Sequence, residues 1–317
     1  MFARWKTISQ LKASNKQNAE NPATAAVPLL HRYDAMASTS ARQVIGTYST
    51  SFSMATNVLA PRMQSDIRNL YAMVRIADEI VDGAAAQAGV SQQDIATMLD
   101  EYERAVLSAP QRRFHVDPVL HAYADTARRC QFDPEHVRAF FHSMRMDLFE
   151  SAHSAESLGE YIYGSAEVIG LMCLSVFLQG RDDVADHDRE TMTRGARALG
   201  AAFQKINFLR DYAEDSQELG RVYFPEILDQ GLNEESKKLL VADIRRDLEH
   251  AHRTIPLLPL GARAGVLAAT GLFEALTDKI DEASADAVRA GRISVSDTRK
   301  TLIALRSVAQ AATMRAR

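Results

Sequence analysis

The sequence predicts an all-α protein. No proline falls between Pro134 and Pro225, apolar residues recur at helical spacing through most of the chain, and strand-like alternation occurs only at 292–295. Because proline inside a helix costs about 3 kcal/mol, its absence from residues 135–224 permits several long helices there. We find no internal repeat and no low-complexity linker after about residue 28. We therefore expect a flexible N-terminal segment over 1–28 and a single all-α domain over 29–317.

The individual elements follow from apolar periodicity and from residues typical of helix ends. A helix begins at Pro61, which suits a first turn, and ends before Gly83, which suits the position just past a helix. Its apolar residues step alternately by four and three positions. Further helical patterns cover 91–108, 118–131, 134–152, 158–179, 193–214, 234–254 and 263–290, and a last helix begins near Asp297.

Composition excludes several classes of protein. The chain has 317 residues, of which 46% are apolar and 25% charged, and a net charge of −4, so nothing in the bulk charge favours nucleic acid. Two cysteines are too few for a disulfide framework, and reduced thiols suit the cytoplasm. The most apolar run, 168–178, is shorter than the roughly 20 residues of a membrane span. No secretory signal is visible at the N-terminus.

The N-terminal segment leaves two interpretations open. Phe2, Trp5, Ile8 and Leu11 recur every third position, with basic residues among them. This pattern is typical of a short amphipathic anchor lying on a membrane surface, and also of a mobile tail. Peripheral contact with a membrane is therefore one expectation for this protein.

Two predicted helices carry polar stripes beside their apolar faces. The four-and-three spacing places each stripe on one helix face. Each stripe ends in two aspartates four residues apart, a pairing that weakens an isolated helix through like-charge repulsion. The first stripe consists of Tyr71, Arg75, Asp78 and Asp82, and the second of Gln204, Asn207, Asp211 and Asp215, with Arg210 beside it.

A bound divalent cation would offset this repulsion. The available ligands are all oxygen atoms, which suit Mg²⁺, or Mn²⁺ in its place. Mg²⁺ is typically held by a few carboxylates, waters and substrate phosphates, so two facing aspartate pairs could bridge ions to a diphosphate. Arg75 and Arg210 would supply donors to the same phosphate oxygens. The alternative is that these arginines form ordinary surface ion pairs, Arg75 with Asp78 or Glu79 and Arg210 with Glu214.

A second acidic segment, RDDVADHDRE at 181–190, could be mistaken for a metal site. It follows Gly180 and has no apolar stripe. We interpret it as a solvated loop.

Six segments carry a distinctive wording. They are STSFSMA at 49–55, IADEIVD at 76–82, YIYGSAEVIGLM at 161–172, NFLRDYAED at 207–215, GRVYFP at 220–225 and RISVS at 292–296. These segments resemble the signatures of the squalene/phytoene synthase family, and the resemblance covers about 34–304. The second and third segments look more like those of bacterial phytoene synthases than of squalene synthases.

The resemblance implies an isoprenoid-synthase-type helix bundle around a central apolar cavity, with roles for particular residues. Glu167 departs from the small residue expected there, and would be a pocket acid or a surface residue. The resemblance implies Mg²⁺ ligands at Asp78, Asp82, Asn207, Asp211 and Asp215, and diphosphate-binding or pocket-shaping roles for Ser49, Ser51, Tyr71, Arg75, Gln204, Arg210, Arg221, Tyr223 and Arg292. It also implies a place for Tyr161 near the reacting carbons, room for prenyl chains at Gly164, Ala166 and Gly170, and pocket depth set by residues such as Met54, Val58, Ile169, Cys173 and Phe203.

The activity implied is a Mg²⁺-dependent prenyl transfer that starts carotenoid synthesis. Two geranylgeranyl diphosphates would condense head to head through a cyclopropylcarbinyl diphosphate (prephytoene diphosphate) to phytoene, releasing pyrophosphate without NADPH. An enzyme that makes squalene or dehydrosqualene from farnesyl diphosphate is the alternative within the family. A chain-elongating prenyl synthase typically has DDxxD-type motifs, which do not match this pattern. A non-catalytic helical assembly factor should have eroded motifs, whereas both aspartate pairs are present here.

Overall fold

The structure is a computed structural model that describes residues 28–150, 152–217, 222–228 and 230–314, except for the side chains of 215 and 217. These residues form fifteen α-helices, linked by short turns and one π-helical turn, Tyr163–Glu167. The helices are α1 Leu29–Tyr48, α2 Thr50–Asn57, α3 Pro61–Val81, α4 Ala84–Gln87, α5 Gln92–Ser108, α6 Pro118–Cys130, α7 Pro134–Phe149, α8 Ala155–Ile162, α9 Val168–Phe177, α10 Asp186–Arg210, α11 Tyr212–Gln217, α12 Glu234–Thr254, α13 Leu260–Glu282, α14 Ala285–Ala290 and α15 Asp297–Thr313.

Local sequence explains where several of these helices begin. Asp117 and Asp133 each precede a proline, and each carboxylate accepts a hydrogen bond from a backbone N–H of the first turn. An aspartate N-cap followed by proline satisfies one free donor and removes another. Ser49 caps α2 in the same way, accepting a hydrogen bond from the N–H of Phe52 at 3.2 Å.

The helices enclose two large apolar clusters that flank a central cavity. One cluster joins α8, α10, α12 and α13, and the other joins α3, α5, α6, α7 and α9. Helix α10 packs against both α9 and α12, and α15 packs against α13. The all-α prediction is therefore confirmed.

Glycines allow the π-helical turn and α9 to approach their neighbours closely. A Cβ on Gly164 would collide with the carbonyl of Ala139 on α7, and one on Gly170 with the carbonyl of Ala196 on α10. Gly164 thus serves close packing between helices and does not line the cavity, whereas Gly170 serves close packing and also lines the cavity, as Ala166 does.

Several predicted boundaries were wrong. Helix α10 begins at Asp186, so the second half of the segment expected to be a loop is helical. In agreement with the all-α prediction, the short alternating run at 292–295 forms no strand; among the described residues, the one β-pairing is an isolated bridge between Ala152 and Val222. The helix expected over 193–214 is interrupted at Asp211, and the one expected over 263–290 breaks between α13 and α14.

Among the described residues, one helical stretch is long and apolar enough, by those two measures alone, to cross a membrane. It spans Ala155–Phe177, and 56% of its most apolar window is buried inside the protein. This burial is typical of a core helix. The residues of the predicted N-terminal anchor lie outside the described residues.

Candidate active site

A cavity of about 980 Å³ lies among α2, α3, α9, α10 and α13. Polar residues line its exposed end, where Asp82 and Arg292 reach solvent, and apolar residues line the rest. Both predicted polar stripes border this one cavity. Clefts of this size with a few convergent polar groups are typical of ligand sites.

The first stripe lies on α3. All four of its members, Tyr71, Arg75, Asp78 and Asp82, line the cavity. Arg75 Nε donates to Glu79 Oε1 at 2.9 Å, and Arg75 Nη1 lies 3.7 Å from Asp78 Oδ2. The ion pairs that we considered as a surface alternative therefore exist, but their arginine lines the cavity.

The Asp78 carboxyl is poorly suited to carry its charge without a partner. Desolvation by the surrounding protein raises its pKa to about 7. Arg75 opposes this effect, whereas the charges of Asp82 and Glu79 add to it. A cation placed against Asp78 would restore the ionised form.

The second stripe lies at the end of α10. Gln204, Asn207, Arg210 and Asp211 all line the cavity. Asp211 accepts from Arg210 Nε at 2.9 Å, and its Oδ1 lies 3.2 Å from Arg292 Nε. Arg210 therefore pairs with Asp211 and not with Glu214, contrary to the surface alternative.

The Asn207 side chain is unusual in this stripe. Its Oδ1 atom is buried and has no hydrogen-bond partner among the described residues. A buried amide oxygen without a partner is costly and rare in folded proteins. This oxygen is available to a ligand in the cavity.

Two predicted site residues lie partly or wholly outside the described residues. Asp215 lies on α11, beyond the break at Asp211, and its side chain is outside the described residues, as is all of Arg221. Among the described residues, no three His, Cys, Asp or Glu side chains form a metal-binding group.

The predicted diphosphate-side residues converge at the same end of the cavity. Ser49, Ser51 and Arg292 line it. Sequence analysis missed Lys300, which also lines the cavity and lies 3.2 Å from Thr50 Oγ1. Lys300 could not be singled out from the sequence, because one lysine near the start of a helix has no distinctive spacing.

Tyr161 and Tyr223 lie together on the cavity wall, 5.5 Å apart between ring centroids. Tyr223 stacks on Phe208 at 4.0 Å. The Tyr161 hydroxyl donates to Asp147 Oδ2 at 2.9 Å, a second cavity residue that sequence analysis missed. Burial, with the negative charge of Asp147, raises the pKa of Tyr161 well above its ordinary value.

Aromatic rings cover part of the cavity interior. Phe203 and Phe273 stack at 3.8 Å, with Phe52 close to both. Of the residues expected to set pocket depth, Phe203, Ile169 and Cys173 line the cavity. Met54 and Val58 are not among its lining residues, because α2 turns Phe52, Ala55 and Thr56 inward instead.

Glu167 is not a pocket acid. It is absent from the cavity lining, and its Oε2 accepts from Arg197 Nε at 2.6 Å. The ion pair joins the π-helical turn to α10 on the outside of the bundle.

Comparison with known proteins agrees with this geometry. The sequence model of the squalene/phytoene synthase family matches residues 45–299. The chain belongs to this family. A 15-cis-phytoene synthase of Synechococcus elongatus is 31% identical over 271 residues, which cover 78% of this chain and 85% of the relative. Chloroplastic phytoene synthases of rice and Arabidopsis are 29% and 31% identical over 75% of this chain, which spans 62% and 58% of their lengths.

Solved structures support the fold. A dehydrosqualene synthase crystallised with a ligand superposes with a TM-score of 0.70, at 21% identity, over 88% of this chain and 98% of that one. The squalene synthase HpnC of Alicyclobacillus acidocaldarius gives a TM-score of 0.66, also at 21% identity, over 80% of this chain and 95% of its own. The predicted isoprenoid-synthase-type bundle is thereby confirmed.

Proposed function

We propose that this protein condenses two molecules of geranylgeranyl diphosphate head to head into phytoene and releases pyrophosphate. The observation that carries the proposal is that two polar stripes, far apart in sequence, line one end of a single apolar cavity. The names of the phytoene synthases that the chain resembles support the choice of product.

The residues at the polar end fit magnesium. Asp78, Asp82 and Asp211 offer carboxylate oxygens, and Asn207 adds a buried oxygen that lacks a partner among the described residues. Such all-oxygen donors suit Mg²⁺ held jointly with waters and a diphosphate. When bound, the metal would neutralise charge on the leaving pyrophosphate. Asp215 is proposed as a further ligand.

Three arginines and Lys300, which all line the cavity, would hold the same diphosphates. Arg75, Arg210 and Arg292 line the polar end, and each already contacts a stripe carboxylate. Diphosphate oxygens offer them charge-assisted hydrogen bonds of the same kind. Donors fixed around a leaving group stabilise the charge that develops as the C–O bond breaks.

The apolar part of the cavity would protect the carbon chemistry. Ionisation gives an allyl cation, which water would trap, so the reacting carbons need a dry space. The stacked rings of Phe203 and Phe273 supply apolar wall, and an aromatic ring face would attract a cation placed over it. Formation of phytoene needs no nicotinamide, because the last cation loses a proton instead of accepting hydride.

One assay tests the proposal. Purified protein is incubated with Mg²⁺ and either geranylgeranyl or farnesyl diphosphate, with and without NADPH, and the hydrocarbon is identified by mass. We expect phytoene from geranylgeranyl diphosphate without NADPH. Squalene or dehydrosqualene from farnesyl diphosphate alone would assign the alternative activity, and no product from either substrate would favour a non-catalytic role.

We also propose that this protein is cytoplasmic and makes peripheral contact with a membrane that receives its hydrocarbon product. Helix α15 exposes Leu302 and Leu305, 45% and 65% accessible, with the exposed Arg306 beside them. Apolar side chains edged by arginine are typical of membrane-surface helices. Replacing both leucines by serine should reduce co-sedimentation with anionic vesicles, whereas Leu239→Ser, at a leucine 62% exposed on α12, should not. Equal binding by all three proteins would refute this surface.

A further inference from the structure

The last step of the proposed reaction needs a proton acceptor inside the cavity. This inference rests on the proposed function. The final carbocation becomes a neutral hydrocarbon only when a C–H bond next to the positive carbon breaks and its electron pair forms the new double bond. In water-free surroundings the released proton needs a base held within reach.

Asp147 is a carboxylate of the cavity that the polar stripes do not use. Four described Asp or Glu residues line the cavity. Three of them, Asp78, Asp82 and Asp211, belong to the stripes at the exposed end. Asp147 comes instead from α7 and is 6% exposed. A carboxylate so deeply placed is rarely kept without a partner or a function.

Asp147 is joined to the phenol of Tyr161, which also lines the cavity. Tyr161, 3% exposed, donates its hydroxyl proton to Asp147 Oδ2 over 2.9 Å. One turn earlier on α7, Ser143 Oγ donates to the backbone carbonyl of Tyr161 at 3.1 Å. Helix α7 therefore fixes both the backbone and the hydroxyl of Tyr161.

Aromatic neighbours hold the phenol ring in place. The Tyr161 ring lies 5.0 Å from the ring of His153, 5.5 Å from that of Tyr223 and 5.9 Å from that of Phe208. The π-helical turn Tyr163–Glu167 follows directly, and such turns often occur at functional sites. The phenol oxygen is thus a fixed point on the cavity wall.

We propose that Tyr161 and Asp147 act together as the proton acceptor that ends the reaction. The Tyr161 oxygen takes the proton from the cation while its own proton moves to Asp147 Oδ2. The C–H pair becomes the new double bond, Tyr161 stays neutral, and Asp147 becomes a carboxylic acid. Asp147 passes its proton to the released pyrophosphate as the products leave. Tyr161 is the catalytic residue, and Asp147 acts through it.

The experiment starts from the cyclopropylcarbinyl diphosphate and Mg²⁺, so that it reads the second half of the reaction. Pyrophosphate and phytoene are measured together, because wild-type protein should give one of each per turnover. In Asp147→Asn and in Tyr161→Phe we expect pyrophosphate release to continue. Phytoene per pyrophosphate should fall by about 100-fold or more, since general-base assistance is worth about 100-fold or more. The missing carbon should appear as alcohols formed by water capture.

Three further variants separate proton transfer from structural damage. The double variant Asp147→Asn/Tyr161→Phe should give no less phytoene per pyrophosphate than either single variant, because the two residues act as one unit. Formate should restore the phytoene ratio in Asp147→Ala, which a purely structural defect would not allow. Tyr102→Phe, which removes another buried hydroxyl outside the cavity lining, should keep the wild-type ratio.

An unchanged ratio in both Asp147→Asn and Tyr161→Phe would overturn the inference and assign the proton to the departing pyrophosphate. A wild-type protein that makes no phytoene would instead refute the proposed function.

Discussion

Replacing Asp78 by asparagine should stabilise the metal-free protein at alkaline pH. The folded protein raises the pKa of this carboxyl from 3.8 to about 7, so the folded state binds a proton more tightly than the unfolded state. Stability therefore decreases as the pH rises through this interval, and the loss is complete above about pH 7. An asparagine side chain at this position would carry no charge and would not share this loss.

The size of the effect follows from the pKa difference and the exposure of the side chain. The whole difference corresponds to about 4 kcal/mol. Because the Asp78 side chain is 36% exposed, solvent screens part of it, and we expect about 1–2 kcal/mol. In a chain of this length the full effect corresponds to a shift of about 1.5–3 °C in Tm.

Thermal unfolding in EDTA at pH 5.5 and pH 8 provides the assay. About half of the interval from 3.8 to 7 lies between these two pH values, so the Tm of the wild type should fall by about 1 °C more than that of Asp78→Asn. Added Mg²⁺ should raise the wild-type Tm more at pH 8 than at pH 5.5, since binding to the folded state stabilises it and requires the carboxylate. The reasoning would be refuted if the Tm of the two proteins depended equally on pH. It would also be refuted if Mg²⁺ raised the wild-type Tm equally at pH 8 and at pH 5.5.

Two further predictions concern packing and binding. A Cβ on Gly200 would lie 2.5 Å from the Ala166 carbonyl, so Gly200→Ala should destabilise the fold by about 1–3 kcal/mol in urea unfolding. Gly46→Ala on α1 has open space and should stabilise by up to about 1 kcal/mol, and equal effects of the two changes would contradict the packing argument. Lys300→Met should raise the KM for geranylgeranyl diphosphate about tenfold, because it removes one charge-assisted contact, and should leave Tm nearly unchanged. An unchanged KM would place the diphosphate away from Thr50.

The helices of the site could be predicted from the sequence because the polar stripes and the apolar residues both repeat at helical spacing. Tyr71, Arg75, Asp78 and Asp82 lie on one face of α3, as their spacing required. The same reasoning was incomplete for α10. Asp211 occupies its C-cap, where the helix breaks, and spacing alone does not show a break when no proline or glycine marks it.

The spacing of apolar residues along a helix does not predict which distant segments come into contact. Asp147 lies in a helix whose apolar pattern predicts only a core face, and its pairing with Tyr161 depends on how α7 meets α8. Likewise, glycines at 164 and 170 are compatible with room for a bound prenyl chain or with close packing of helix backbones, and only their neighbours in the structure distinguish the two.

The central claim is that both acidic stripes hold the same metal–diphosphate assembly. Its most direct test is to count Mn²⁺ bound per chain by electron paramagnetic resonance, with and without geranylgeranyl thiodiphosphate. We predict that wild type binds Mn²⁺ tightly only with the thiodiphosphate, and that Asp78→Ala and Asp211→Ala each lose at least one bound ion. Undiminished Mn²⁺ binding in either folded variant would contradict the claim.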